Sequence, residues 1–565
     1  MHQPDELAIY LPDGQVEPPT NPYGRLIANA GVYRALTRHG GYRRVHFQCR
    51  TPAEPEQLAR ELRVDATAVE ITSGPLLSTA AATRAGVLLS GQPYLSEPAW
   101  VRRHAGRDAD YSIVGTIFAF ASAPHRERMM SSALAPLHEW DAMICSSPTL
   151  RETVERTFDE WEDHLRERLG AATLPRPHLP VIPFGTDVDA LAAQAADGAA
   201  RASMRGSLGI DESDVMVYFL GRLSYVDKAF PQAMFKAVEA AQRLADVTTH
   251  FVLTGWFPGA DDDRALFEEA ARRYAPTVRI TFLDGNDPEV VASCWAAADI
   301  FLLLSDTILE TFGQALTEAM AAGLPLVVSD WDGYRSIVRD GVDGFLVPTL
   351  GAPAGALGET LALLQSTDLI DYSQYVGSVA QHTAVKVGGA AAALGRLISS
   401  PELRATMGAA AKRRARDLYA WPVVVAQHTD LFAELAERRA QAGAAGPGSA
   451  RRMNPLQADP FSDFRGHPTL VLDDDLAVRL ATVSAGPASP ADLLLTDPAI
   501  ELDHLFPGVR GTELEAAEVV RLLGTAGSLT VRELLQSFPP GRRPFVRMTI
   551  MWLAKAGVVD WLPPS

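Results

Sequence analysis

Short apolar runs that recur along the chain, with helical stretches between them, constrain its fold most. In the first part, strands are expected near residues 44–48, 85–89, 111–115, 141–145 and 179–182, with helical periodicity between several of them, as over 28–36. The middle part repeats the rhythm at 216–220, 250–254, 278–283, 299–304, 324–329 and 344–347. Runs that are apolar on both faces and alternate with helices are the pattern of parallel sheets covered on each side. Two such blocks predict two doubly wound, Rossmann-like α/β domains, whose ligands favour the carboxyl ends of the strands.

The segment PVIPFGTD (180–187) joins the blocks, a helical and charged stretch covers 401–439, and QAGAAGPGSA (441–450) reads as a flexible linker. The expected division is therefore 1–182, a first domain; 183–400, a second, ligand-binding domain; 401–440, a helical segment; 441–460, linker; and 461–565, an accessory unit. In that last unit, helices are expected over 513–523, 530–538 (Thr530 or Ser528 as N-cap) and 543–556, followed by a short strand at 558–562 in a hairpin-like end. This order suggests a winged-helix-like unit. From Glu501 to Ser565 there are seven acidic and seven basic residues, whereas a DNA-binding winged helix is usually basic. Protein contact, including a homodimer through this unit, is therefore favoured over nucleic acid or simple packing.

Composition sharpens the exclusions. With 47% hydrophobic and 21% charged residues in 565, the chain is globular and neither disordered nor collagen-like. Its net charge of −18 repels phosphate backbones and speaks against nucleic acid as the main partner. Cys49, Cys145 and Cys294 make no disulfide framework and lack metal-ligand spacing, which fits a reducing, cytoplasmic setting. The start of the sequence shows no basic segment followed by an apolar stretch, and no run approaches ~18 apolar residues, so neither a secretory signal nor a transmembrane segment is expected.

The chemistry concentrates in two segments of the second block. In SDTILETFGQALTEAMAAGLPLVVSD (305–330), a buried strand leads through a loop to a helix that begins near Gly313 and stops at Gly323-Leu324-Pro325. The amides of Thr311, Phe312 and Gly313 would point out of that helix start, where a phosphate or a polarised hydroxyl binds. Glu310 and Glu318 flank the feature at a spacing that suits two ends of one extended ligand rather than two carboxylates on one bond, and each can accept hydrogen bonds from hydroxyl groups. In GRLSYVDK (221–228), Arg222 and Lys228 sit on a strand–helix loop where an anionic ligand belongs; Arg222 can fork onto phosphate oxygens while Lys228 acts as a point charge.

Taken together, GRLSYVDK and ETFGQALTEAMAAGLPLVVSD resemble the GT-B retaining glycosyltransferases of family four, within the group 1 superfamily that includes glycogen-synthase-like and sucrose-synthase-like enzymes. VIPFGTD resembles that family's VIPNGVD turn, with Phe184 where Asn is common, and PELRATMGAAAKRRARDLYAW resembles its closing helices, which cross back to the first domain. The resemblance covers roughly residues 20–440 and is strongest in the second block. It implies that Arg222 and Lys228 bind the donor diphosphate and that Glu310 faces the donor sugar. The amides of Thr311, Phe312 and Gly313 would touch sugar or phosphate, Glu318 would bind the ribose, and the backbone at Phe282–Leu283 would meet the base. Gly24 stands either in a loop near the phosphates or as an ordinary turn glycine. Where family members often carry a histidine near the sugar, Phe118 stands here; His125, seven residues on, is either its substitute at the sugar or acceptor site or a packing histidine. No role is assigned to 350–387.

What the resemblance implies is metal-independent, cofactor-free retaining transfer of a hexosyl group from a nucleotide sugar, with a UDP-sugar first and GDP- or ADP-sugars next. The acceptor, a hydroxyl or other nucleophile on a peptide, protein or small natural product, would lie against the first domain. Two alternatives share the scaffold: a sugar phosphorylase, and a degenerate transferase kept as a partner or scaffold protein.

Overall fold

The computed structural model describes residues 5–64, 68–172, 174–245, 247–442, 452–482 and 509–562. The chain divides into two compact units, Met1–Asn454 and Pro455–Ser565.

The first unit holds two six-stranded, wholly parallel sheets. In the first, the order is Glu70–Pro75, Arg44–Cys49, Glu6–Tyr10, Val87–Ser90, Ser112–Ile117, Ala142–Cys145. In the second, it is Gly344–Val347, Leu326–Ser329, Ile300–Leu303, Val215–Leu220, Thr249–Gly255, Arg279–Asp284. Numbered within each domain, both orders are 3-2-1-4-5-6, so both are doubly wound as expected. Each has a topological switch point between its first and fourth strands, where loops diverge and leave a crevice. In the second sheet those strands are Val215–Leu220 and Ile300–Leu303, and the loops leaving them are the two motif segments.

Two strands of these sheets were not anticipated, Glu6–Tyr10 and Glu70–Pro75. The expected strand at 85–89 begins at Val87, because Ala80–Ala85 is helical and Gly86 turns the chain at φ +69°. The stretch 179–182 is not a full strand. It runs beside Ala142–Cys145 through isolated bridges at His178 and Val181, since Pro177, Pro180 and Pro183 have no N–H to donate.

Helix Pro401–Tyr419 packs on the second domain, and Trp421–Ala442 crosses back to the first. Trp421 fills the space beside Gly31 and Gly185, where an added Cβ would collide with its ring. Farther along, Arg439 donates to Ser112 Oγ at 2.6 Å and to the Gly86 carbonyl at 3.1 Å. Thr186 N donates to the Tyr419 carbonyl at 2.7 Å, so the chain's two passages between the domains run side by side.

The second unit has its own core, with Val478, Val519, Leu534, Val546 and Ile550 within it. Helices Glu513–Ala526, Val531–Gln536 and Arg543–Lys555 pack with a three-stranded antiparallel sheet. Thr530 caps the second helix in a capping box with Glu533, while Ser528 begins a strand. The expected hairpin-like end is replaced by a longer-range pairing. Val559–Trp561 and Ser528–Thr530 flank a central strand, Ala477–Leu480, contributed from before the helices. Of the expected linker, 441–460, residues 443–451 lie outside the described residues. None of the described helices is long and apolar enough to cross a membrane.

Candidate active site

A cavity of about 920 Å³ opens at the carboxyl ends of both sheets and takes walls from both domains. Arg222, Lys228, Glu310, Thr311, Phe312, Gly313 and Glu318 line it from the second domain, and Gly24, Phe118 and His125 from the first. Of the anticipated site residues, Leu283 stays outside, together with its neighbour Phe282. Its strand, Arg279–Asp284, runs one residue further than expected, and the wall there is built by Gly285 and Asn286.

Gly313 is the N-cap of helix Gln314–Ala322 and sits at φ +106°, a conformation open to glycine; an added Cβ would also run into the buried Tyr334 ring. No side chain caps this helix, and among the described residues the amides of Thr311, Phe312 and Gly313 carry no hydrogen bond. The helix therefore presents unsatisfied donors and its positive dipole end to the cavity. The Thr311 hydroxyl is already used: it donates to the Phe118 carbonyl at 2.9 Å, tying the loop to the first domain.

Both anticipated cations carry carboxylate partners. Arg222 pairs with Asp227, and Lys228 with Glu310. The Arg222 guanidinium also lies 5.0 Å from the centroid of the Tyr23 ring, and that ring meets Trp256 edge-on at 6.2 Å. Next to it, Asn286 Nδ2 donates to Asn21 Oδ1 at 2.8 Å across the cleft. The loop before Gly24 thus reaches over the second domain, with Gly24 opening helix Gly24–His39 at the cavity.

Burial pushes the Glu318 carboxyl up to about 7, with Lys228 pulling the other way. Asp332 is also raised to about 7 by burial, although Ser147 Oγ donates to it at 2.8 Å. His125 is held below its ordinary value by burial and by the charges of Arg25 and Arg128, which favours the neutral imidazole. Its Nδ1 lies 2.6 Å from Ser122 Oγ, the N-cap of its helix. Phe118 stacks on Phe184, and Phe184 meets Phe312 edge-on at 5.4 Å.

Sequence reasoning passed over Tyr23, Tyr94, Asp227, Asn286 and Tyr372. Tyr23 and Asp227 lie inside motifs it singled out, NPYGR and GRLSYVDK. The other three enter the cavity through tertiary contacts that leave no local pattern.

Residues 200–365 match the family model described as Glycosyl transferases group 1. The match includes both motif loops, and over this segment it agrees with the resemblance at the level of the group 1 glycosyltransferases. A D-inositol 3-phosphate glycosyltransferase of Rhodococcus erythropolis is 32% identical over 148 residues, 26% of this chain and 33% of that protein. A phosphatidyl-myo-inositol mannosyltransferase of Mycobacterium tuberculosis is 33% identical over 191 residues, 34% of this chain and 45% of that protein. The chain thus spans less than half the length of these curated relatives. Among solved structures, Anabaena Alr3699/HepE in complex with UDP aligns with 76% of this chain and 99% of its own, at 16% identity and a TM-score of 0.48.

Proposed function

We propose that this chain is a retaining glycosyltransferase that moves a hexosyl group from a nucleoside-diphosphate sugar to an acceptor hydroxyl or other nucleophile, without a metal or other cofactor. One observation carries the reading: Arg222, Lys228 and the open amides of 311–313 converge on one cavity at the second sheet's switch point. Breaking a glycosidic C–O bond leaves negative charge on the departing diphosphate, and preorganised cations and amides in a partly dry cleft stabilise that charge. A diphosphate carries more charge than either carboxylate, Asp227 or Glu310, and gains more as it departs, so it can draw both cations toward itself. Glu318 at the far end of the helix start suits the ribose hydroxyls. In the retaining scheme the acceptor attacks from the face the diphosphate leaves, and a diphosphate oxygen takes the acceptor's proton. The names of the curated relatives also support transfer of a glycosyl group.

The test is a donor panel. UDP, GDP and ADP sugars, with the UDP-sugar first, are titrated by calorimetry and then assayed for nucleotide release with candidate acceptors, with and without inorganic phosphate. Binding of one nucleoside diphosphate and acceptor-dependent release support transfer. Release of sugar 1-phosphate that depends on inorganic phosphate identifies a phosphorylase, and failure to bind any donor leaves the scaffold alternative.

A further inference from the structure

Between strand Gly344–Val347 and helix Val387–Ser399, which continue the doubly wound pattern, the chain makes a detour. Thr349–Gly351 and Thr383–Val385 pair antiparallel as its neck, and Lys386 N closes the neck onto the Pro348 carbonyl at 2.9 Å. Helices Ala356–Ser366 and Tyr372–Ala380 form its head. The head is anchored on both sides of the cavity mouth. Buried Gln365 accepts the Ala123 amide of the first domain at 3.1 Å. Tyr375 and Val376 share a small core with Ala121 and with Ile308 and Leu309 of the motif loop.

This anchoring delivers an aromatic residue into the site. Asp371 and Gln374 form a capping box that sets Tyr372 in the first turn of its helix. The Tyr372 ring lies 6.1 Å from His125 at 82°, and His125 lies 6.2 Å from Tyr94 at 10°. Arg128 backs Tyr94, its guanidinium 4.0 Å from the ring centroid. Two near-parallel rings from the first domain and one upright ring from the detour make a corner. All three line the cavity, with Gln92 and Ser373 beside them. The charges of Asp227 and Arg222 reach the Tyr372 hydroxyl, so the corner adjoins the Arg222–Asp227 pair.

Flat apolar ring faces alternating with amide and hydroxyl groups match a ligand that is apolar on its faces and polar around its rim. A pyranose has that shape; a plain aromatic hydrocarbon would leave the polar groups unpaired. We propose that Tyr94, His125 and Tyr372 form a subsite for a saccharide ring, and that the detour from Thr349 to Val385 gives the chain its selectivity for an acceptor of that class. Placing the ring as acceptor rests on the glycosyl-transfer reading above, whereas its saccharide character does not.

The experiment titrates the full chain, with and without UDP, with the methyl pyranosides of glucose, mannose, galactose and N-acetylglucosamine, followed by ligand-observed NMR. At least one is expected to bind the unaltered chain. Tyr372→Ala should weaken it by about tenfold or more, Tyr372→Phe should keep it within about threefold, and both should keep UDP affinity within about threefold. The subsite is overturned if no pyranoside binds, if Tyr372→Ala binds as tightly as the unaltered chain, or if Tyr372→Phe weakens binding as much as Tyr372→Ala. Loss of UDP affinity in Tyr372→Ala also overturns it, because Tyr372 would then be shaping the donor site. If UDP fails to bind the unaltered chain, the transfer reading falls, and the UDP-free titration still decides the subsite.

Discussion

The rings of Phe118 and Phe184 lie face to face, their centroids 5.0 Å apart and their planes 6° from parallel. One stands at the end of a first-domain strand, the other in the passage between the domains, at the two positions where the sequence resemblance led to an expectation of histidine and asparagine. The structure brings the two positions together in one apolar stack that continues edge-on into Phe312 and then Tyr419. Phe118 also offers its carbonyl to Thr311, a backbone tie that does not depend on the side chain at 118. Phe118→Ala and Phe184→Ala should therefore be non-additive in chemical denaturation, with a coupling of ~1 kcal/mol. Strict additivity would mean that the stack contributes nothing of its own.

The two cations give the sharpest kinetic expectation. Arg222→Ala or Lys228→Ala should lower turnover with saturating donor by at least ~100-fold, equivalent to ~2.7 kcal/mol of barrier. In each variant a carboxylate, Asp227 or Glu310, also loses its partner, so nucleotide affinity should fall as well. Near-normal turnover in both variants would falsify the leaving-group role.

Legibility followed how local each feature is. Strands of the second block showed themselves because most are apolar on both faces, and several are bounded by Gly or Pro, as at Gly221, Gly255, Gly285 and Pro348. Glu70–Pro75 was hidden by its Ser73-Gly74-Pro75 end. The helix start at Gly313 was readable because capping chemistry lies within a few residues. Asn21 and Asn286 were not, because their hydrogen bond joins positions 265 residues apart. The role of 350–387 was invisible for the same reason: what Tyr372 does depends on where Ala121, Ala123 and His125 lie, and no periodicity encodes that.

Glu318 should leave a mark on the pH dependence of stability. Its carboxyl titrates near 7 in the folded chain against an ordinary 4.5, because burial disfavours the charged form. The folded state therefore holds the proton more tightly than the unfolded one. The resulting stabilisation is complete below about 4.5 and is lost as pH rises through about 7. Glu318→Gln, neutral throughout, should lack this loss, so the Tm difference between the unaltered chain and the variant should shift against the unaltered chain from pH 4.5 to 7.5. A pH-independent difference would show that the carboxyl is not raised. Donor affinity of Glu318→Ala should fall while turnover of bound donor changes less.

Removing the second unit tests how self-contained the site is. Every residue that lines the cavity falls between Pro22 and Ser373, inside Met1–Asn454. The second unit buries its own core, with a strand on each side of Ala477–Leu480. A chain ending at Asn454 should therefore unfold cooperatively and bind nucleoside diphosphate within about twofold of the full chain, which calorimetry measures directly. If the second unit serves association, light scattering should show a lower assembly state for the shortened chain, and the donor site should be unaffected. A tenfold loss of nucleotide affinity on truncation would instead mean that the second unit supports the donor site, and the division of labour between the units would have to be redrawn.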